Sequence, residues 1–170
     1  MDRRAVGRLV SAFVLALALG GCGASGGSGA NPSGAGQSSS VADGQTKVES
    51  YYGMVAEYRA TVSTLSWPAG ITPDPNPLST DKATDYEVGS GEGDATFRWM
   101  CAWSGEYLKN RSSNPKEAKA ALDQWASITT LPAWNTSYSD PSMRQMLLDS
   151  ISKARLGDPS VIQSFHTANC

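Results

Sequence analysis

The chain has 170 residues, 40% of them hydrophobic and 18% charged, with 14 Lys and Arg against 16 Asp and Glu. Without a basic tail or patch it lacks the electrostatic footprint that a nucleic-acid partner demands. Three cysteines and one histidine are too few for a zinc centre, and no glycine-rich phosphate loop with its lysine is present, so no metal or cofactor is expected. Reading from the amino terminus, Arg3, Arg4 and Arg8 precede an apolar run from Leu9 to Leu19 that only Ser11 interrupts. A run of about a dozen residues is too short to cross a bilayer, which takes roughly 20. Its basic-then-apolar order is that of a secretory signal peptide, so residues 1–21 are set aside from the fold.

The next residues, Leu19-Gly20-Gly21-Cys22, resemble the lipobox of bacterial lipoproteins. The resemblance covers these four residues and the apolar run before them. It implies cleavage before Cys22 and attachment of diacylglycerol to its thiol, with a further acyl group (typically palmitate) on the new amino terminus. Two or more acyl chains anchor stably where a single one is marginal. The Ala, Gly and Arg-rich style of the chain is similar to small lipoproteins of high-GC Gram-positive bacteria (actinobacteria). That implies a cell-membrane location on the extracytoplasmic face. Arg3-Arg4 hints at twin-arginine export, but Gly7 stands where that signal prefers an apolar residue, which favours general secretion. Residues 22–45 are Gly, Ser, Ala, Asn, Pro and Gln with Asp43 as their one charge, a tether with a span of roughly 25–30 Å.

Assigning Cys22 to lipid leaves Cys101 and Cys170, and outside the cytoplasm a disulfide between them is the expected pairing. It closes a loop of about 70 residues and contributes roughly 4 kcal/mol by chain entropy. Beyond residue 21 the chain holds 11 basic and 15 acidic residues. Asp74, Asp81, Asp85, Glu87, Glu92 and Asp94 fall close together, opposed only by Lys82.

Residues 46–170 are expected to form one domain. Over 46–66, Val48, Tyr51, Tyr52, Val55, Tyr58, Val62 and Leu65 recur at helical spacing until Trp67-Pro68 ends the pattern. The stretch WPAGITPDPNPLST cannot be helical, because its prolines remove donors and impose extended geometry. A loop this long is functional or mobile more often than not, and "YEV" within it suits a short extended piece. In DATFRWMCAWSGEYLKN, Asp94 is positioned to cap. Phe97, Met100, Cys101, Ser104 and Leu108 make one face, and Trp99, Trp103 and Tyr107 make another. Apolar residues on two faces predict the central, most buried helix, with Gly105 kept for close packing. Asn114-Pro115, Asp140-Pro141 and Asp158-Pro159 each place a capping side chain before a proline suited to a first helical position. The helices after them carry Ala118, Ala121, Leu122, Trp125 and Ile128, then Met143, Met146, Leu147, Ile151 and Ala154, then Val161, Ile162 and Phe165. Gly157 suits a C-terminal stop. The expected fold is all-α, a small bundle of about five helices with a long Pro/Gly-rich loop.

No catalytic constellation emerges. His166 has no G-x-S-x-G partner and is read as a surface or partly buried residue. Glu106, the one acid among aromatics, is expected to face solvent or pair with Lys109 or Arg98. The acidic stretch 74–94 lacks the order of a calcium loop. Trp99, Trp103 and Trp125 suit the core, whereas Trp67 and Trp134, each beside a proline or a turn, suit an interaction surface together with Asp85 and Glu87. The leading expectation is therefore a lipid-anchored, non-enzymatic interaction or accessory module whose partners are the membrane and another envelope protein. A glycan- or small-ligand-binding lipoprotein stands second, and a wall-acting hydrolase using Glu106 third.

Overall fold

The computed structural model describes residues 47–170; the expected signal segment 1–21, the expected tether 22–45 and Cys22, the expected site of lipid attachment, lie outside them. Strand β1 (Val48–Glu49) leads into helix α1 (Tyr51–Thr64), which Ser50 caps by accepting from the Gly53 N–H at 3.3 Å. A strap then runs from Leu65 to Gly89. Within it β2 (Tyr86–Glu87), the extended piece foreseen at YEV, pairs antiparallel with β1, placing Val48 opposite Glu87 and Glu49 opposite Tyr86. Helices α2 (Ser90–Asn110) and α3 (Pro115–Ala126) follow, then two 3-10 turns (Ser127–Thr130 and Pro132–Trp134), α4 (Pro141–Arg155) and α5 (Ser160–Asn169). The described part is thus a small all-α bundle of five α-helices with a minimal two-stranded ribbon.

Helix α2 is central, packing on α1, α3 and α5. Trp99, Met100 and Tyr107 on its inner faces meet Trp125, Ile128, Leu147 and Ile162 from the surrounding elements. Phe165 of α5 touches both Phe97 and Trp125 edge-on, at centroid distances of 6.1 and 6.2 Å. Cys101 and Cys170 form the expected disulfide, which fastens the end of α5 to the middle of α2.

Helix α2 begins at Ser90, five residues before the start expected from a cap at Asp94, and Asp94 is not its cap. Gly89, in the left-handed region at φ 100°, turns the chain into the helix. The cap comes from α1: the Glu57 carboxylate accepts from the N–H groups of Gly89, Gly91 and Glu92 at 2.9 to 3.3 Å. A negative charge there also meets the positive end of the helix dipole. At Gly91 the two helices touch backbone to backbone; a Cβ there would lie 2.2 Å from the Met54 carbonyl oxygen. Asp94, one turn into α2, instead accepts from the Leu78 N–H at 3.0 Å and ties the strap to the helix.

Asn114 and Asp140 cap as expected, accepting from Glu117 N–H at 3.4 Å and Met143 N–H at 2.8 Å. At the third site the cap is Pro159, and Asp158 accepts from the Ser160 N–H at 2.9 Å, so that helix starts one residue later than expected. Gly157, at φ 90°, stops α4; Gly157 N–H bonds Ala154 O and Asp158 N–H bonds Lys153 O, both ends of a Schellman closure. Met143 and Met146, expected to face the core, are exposed. The α4 stripe runs instead through Leu147, Ser150, Ile151 and Ala154, with the Ser150 hydroxyl satisfied by the Met146 carbonyl at 2.6 Å.

Candidate interaction groove

The strap is held to the helices along its length. Ser66 offers one carbonyl to two indoles: Trp99 Nε1 donates at 2.7 Å and Trp103 Nε1 at 3.0 Å. The Tyr58 hydroxyl donates to Asp74 O at 2.8 Å and Arg59 Nε to Pro75 O at 3.0 Å, while the Arg98 guanidinium lies 3.8 Å from the Asp74 carboxylate. Further on, Asp81 folds an Asx turn by accepting from Ala83 N–H and the Thr84 hydroxyl. Those two bonds, the Thr84 hydroxyl first, hold its carboxyl below the ordinary range.

Between this strap and α2 lie two cavities. One of about 750 Å³ is bordered by Glu87, Asp94, Thr136 and Tyr138. The other, of about 380 Å³, is bordered by Trp67, Arg98, Asn169 and the disulfide. Leu78 and Phe97 line both, so the two cavities adjoin at these side chains and make an interrupted groove between strap and α2. Tyr138 closes the inner wall of the larger cavity. It is 7% exposed and donates to Gly93 O at 3.3 Å, and burial, reinforced by the Asp94 charge, pushes its hydroxyl well above the ordinary tyrosine value. Ser137 donates to Gly89 O and Thr136 to the Glu92 carboxylate, which fixes the turn after Trp134 against the start of α2.

The four surface residues singled out in the sequence are not gathered into one cluster. Trp67 borders the smaller cavity, half-buried, with Nε1 donating to Val62 O at 3.1 Å. Glu87 borders the larger one. Trp134 is half-buried beneath the Arg144 guanidinium, 5.0 Å from its ring centroid, and Arg144 also donates to the Trp134 carbonyl. Asp85 is exposed in the strap and borders neither cavity. Sequence reasoning gave Leu78 no role, set Phe97 on a helix face, read Asp94 as a cap, and passed over Tyr138. Nothing local marks the first three as groove residues, because the strap brings Leu78 to Phe97 across the chain. Tyr138 offered one signal, an aromatic inside the turn stretch NTSYSD.

The other chemical candidates are tied into structure. Glu106 pairs with Lys109 at 3.3 Å and accepts from Asn110 Nδ2 at 2.6 Å. His166 Nδ1 lies 2.9 Å from Ser104 Oγ, and Ser104, with no exposed surface, also reaches Cys101 O at 3.0 Å. That hydroxyl is sealed between α2 and α5, where no substrate reaches it, and its bonds join the two helices beside the disulfide. Among the described residues no three His, Cys, Asp or Glu side chains are grouped as metal ligands, and no helix is long and apolar enough to cross a membrane.

Beneath the ribbon, Glu49 lies against Glu57. Its Oε1 is buried without a hydrogen-bond partner. Burial first, then the charge of Glu57 and a hydrogen bond between the two carboxyl groups, raise the Glu49 carboxyl above the usual glutamate range.

No protein family, curated protein or solved structure matches the chain.

Proposed function

We propose that this protein is a lipid-anchored, extracytoplasmic interaction module of the cell envelope. It is held through Cys22 on the tether 22–45, and it engages another envelope component along the groove between strap and α2. The carrying observation is the division of the three cysteines. One stands in Leu19-Gly20-Gly21-Cys22, and the other two are joined in the domain. A disulfide between residues on two packed helices suits an oxidising compartment, and a lipobox signal leads to one. The bonded groups at Glu106 and His166 favour binding over catalysis. Labelling of growing cells with an alkynyl palmitate analogue tests the anchor. Label is expected on the native chain and absent from Cys22→Ala, which should also leave the membrane fraction. Crosslinking in intact cells tests the module, with one envelope protein recovered in near-stoichiometric yield as the expected result. Recovery of the chain alone, at crosslinker lengths that span the tether, would refute it.

A second reading is favoured by the mixture of aromatic faces and acids in the groove. Phe97 and Tyr138 border the larger cavity with Glu87 and Asp94, and Trp67 borders the smaller one, a mixture of apolar and polar groups that suits a small ligand such as a glycan fragment. A saturable change in tryptophan emission on adding soluble cell-wall fragments would select it over a protein partner.

A further inference from the structure

A separate cleft opens at the C-terminal end of α2. It encloses about 450 Å³ against the start of α3 and the turn between α4 and α5. Its floor is apolar and nearly closed: Tyr107, Ala118, Leu122 and Ala154 are each 5–6% exposed. Its rim carries Arg111, Lys119, Arg155 and Asp123. A space of this size is that of a small-molecule site, within the usual range of roughly 300–1,000 Å³.

The charges at this cleft are unevenly engaged. Lys119 and Asp123 neutralise each other at 2.5 Å. Asp158, close enough to act on the Tyr107 hydroxyl, accepts from the Ser160 N–H and is further stabilised by Lys153. Of the five arginines among the described residues, Arg59 and Arg144 are hydrogen-bonded to the strap and to the turn at Trp134, and Arg98 is ion-paired with Asp74 of the strap although its Nε is buried without a hydrogen-bond partner. The remaining two are Arg111 and Arg155, whose guanidinium groups have no hydrogen-bond or ion-pair partner among the described residues, and both stand at this cleft. Each closes a helix, where a cation offsets the dipole, and that explains either one singly. It does not explain why both border one apolar-floored cleft in a domain whose acids outnumber its bases.

We infer that this cleft binds a small organic anion. Arg111 and Arg155 grip its carboxylate or phosphate group, and its compact apolar body rests on the Tyr107 ring and Leu122. A guanidinium fork matches two oxygens of such a group and bonds them more strongly than a neutral donor does. The apolar floor adds a contact for the ligand's body that a bare inorganic ion cannot make, and this separates the ligand class from such ions. The cleft is distinct from the groove, and the inference does not depend on where the chain is anchored.

Isothermal titration of the full-length chain with phenyl phosphate, and with benzoate in a parallel titration, tests this. One-to-one saturable binding is expected, with inorganic phosphate and benzyl alcohol each at least about tenfold weaker, a gap of about 1.4 kcal/mol. The tighter of the two probes identifies the head group. Arg111→Gln and Arg155→Gln should each weaken binding by about tenfold, while Lys116→Gln, the same charge change outside the cleft, should leave it unchanged. Both arginines are exposed, so unfolding is not a concern, and an unchanged melting temperature verifies this for each variant. Equal affinity for inorganic phosphate would remove the apolar floor from the site. Undiminished binding in both arginine variants would place the anion elsewhere. Absence of heat with either probe at millimolar concentration would overturn the inference outright.

Discussion

Replacing Cys101 and Cys170 together by alanine removes the one covalent link between α2 and α5. The bond joins residues 69 apart and closes α3, both 3-10 turns, α4 and α5 into a single loop. The chain-entropy relation gives about 15 cal/mol/K for a loop of that length, or about 4.4 kcal/mol at 25 °C. Unfolding entropy near the midpoint is about 2.1 cal/mol/K per residue. Over the described residues 47–170 the loss corresponds to a fall in Tm of roughly 17 °C. Calorimetry of the native chain, the double variant and the native chain with reductant supplies the measurement, and the last two should coincide. Hydrogen exchange should show where the change is felt. Amides of α5 lose protection first, because its remaining hold is Ile162, Phe165 and the Ser104–His166 bond. A fall below about 4 °C, which is about 1 kcal/mol here, would refute the reasoning. It would mean that the reduced chain already keeps this loop closed when unfolded.

Gly91→Ala forces a Cβ into the Met54 carbonyl and the Tyr58 amide and should cost about 3 kcal/mol or more in urea unfolding. Gly105→Ala meets only the edge of the His166 ring at 3.0 Å and should stay within about 1 kcal/mol of native, since alanine also regains helix propensity. Trp99→Phe loses the bond to Ser66 O, whereas Trp125→Phe removes a buried indole N–H that has no partner; the first should be the more destabilising by about 1 kcal/mol. Glu49→Gln concerns pH. The carboxyl is raised in the folded chain, so its stabilising contribution is present below the unfolded value of about 4.3 and is lost as pH rises through the folded value. The variant should therefore gain melting temperature relative to native as pH climbs from acid toward neutral, and a difference that is flat with pH would refute the carboxyl pairing.

What could be read from the sequence was whatever local chemistry decides. The side chains at Asn114 and Asp140 bond amides three residues on, and Gly157 needs no partner beyond its own helix, so each was visible in a short window. The two apolar faces of α2 announced its central place. The misreadings arose where a distant residue decides. GSGEGD looks like loop by propensity, and it is helical because Glu57, more than thirty residues earlier, satisfies its first amides. Asp94 looked like a cap because caps are judged locally, but its acceptor is taken by the strap. The groove was legible in part. Trp67 and Glu87 stood out as exposed candidates, while Leu78 and Phe97, which join its two halves, are neighbours only once the strap is laid across α2. Arg111 and Arg155 carry no sequence signal at all, since their partnerless state is a property of the assembled charges.

The Ser66 carbonyl shared by Trp99 and Trp103 makes the strap optically addressable. Indole emission shifts with the hydrogen bond on its nitrogen, and here two rings report on a single oxygen at the strap's root. Any event that lifts this segment from α2 must release both donors together. A step in emission would then mark undocking, and a gradual drift would mark loosening, without a dye or a label on the chain.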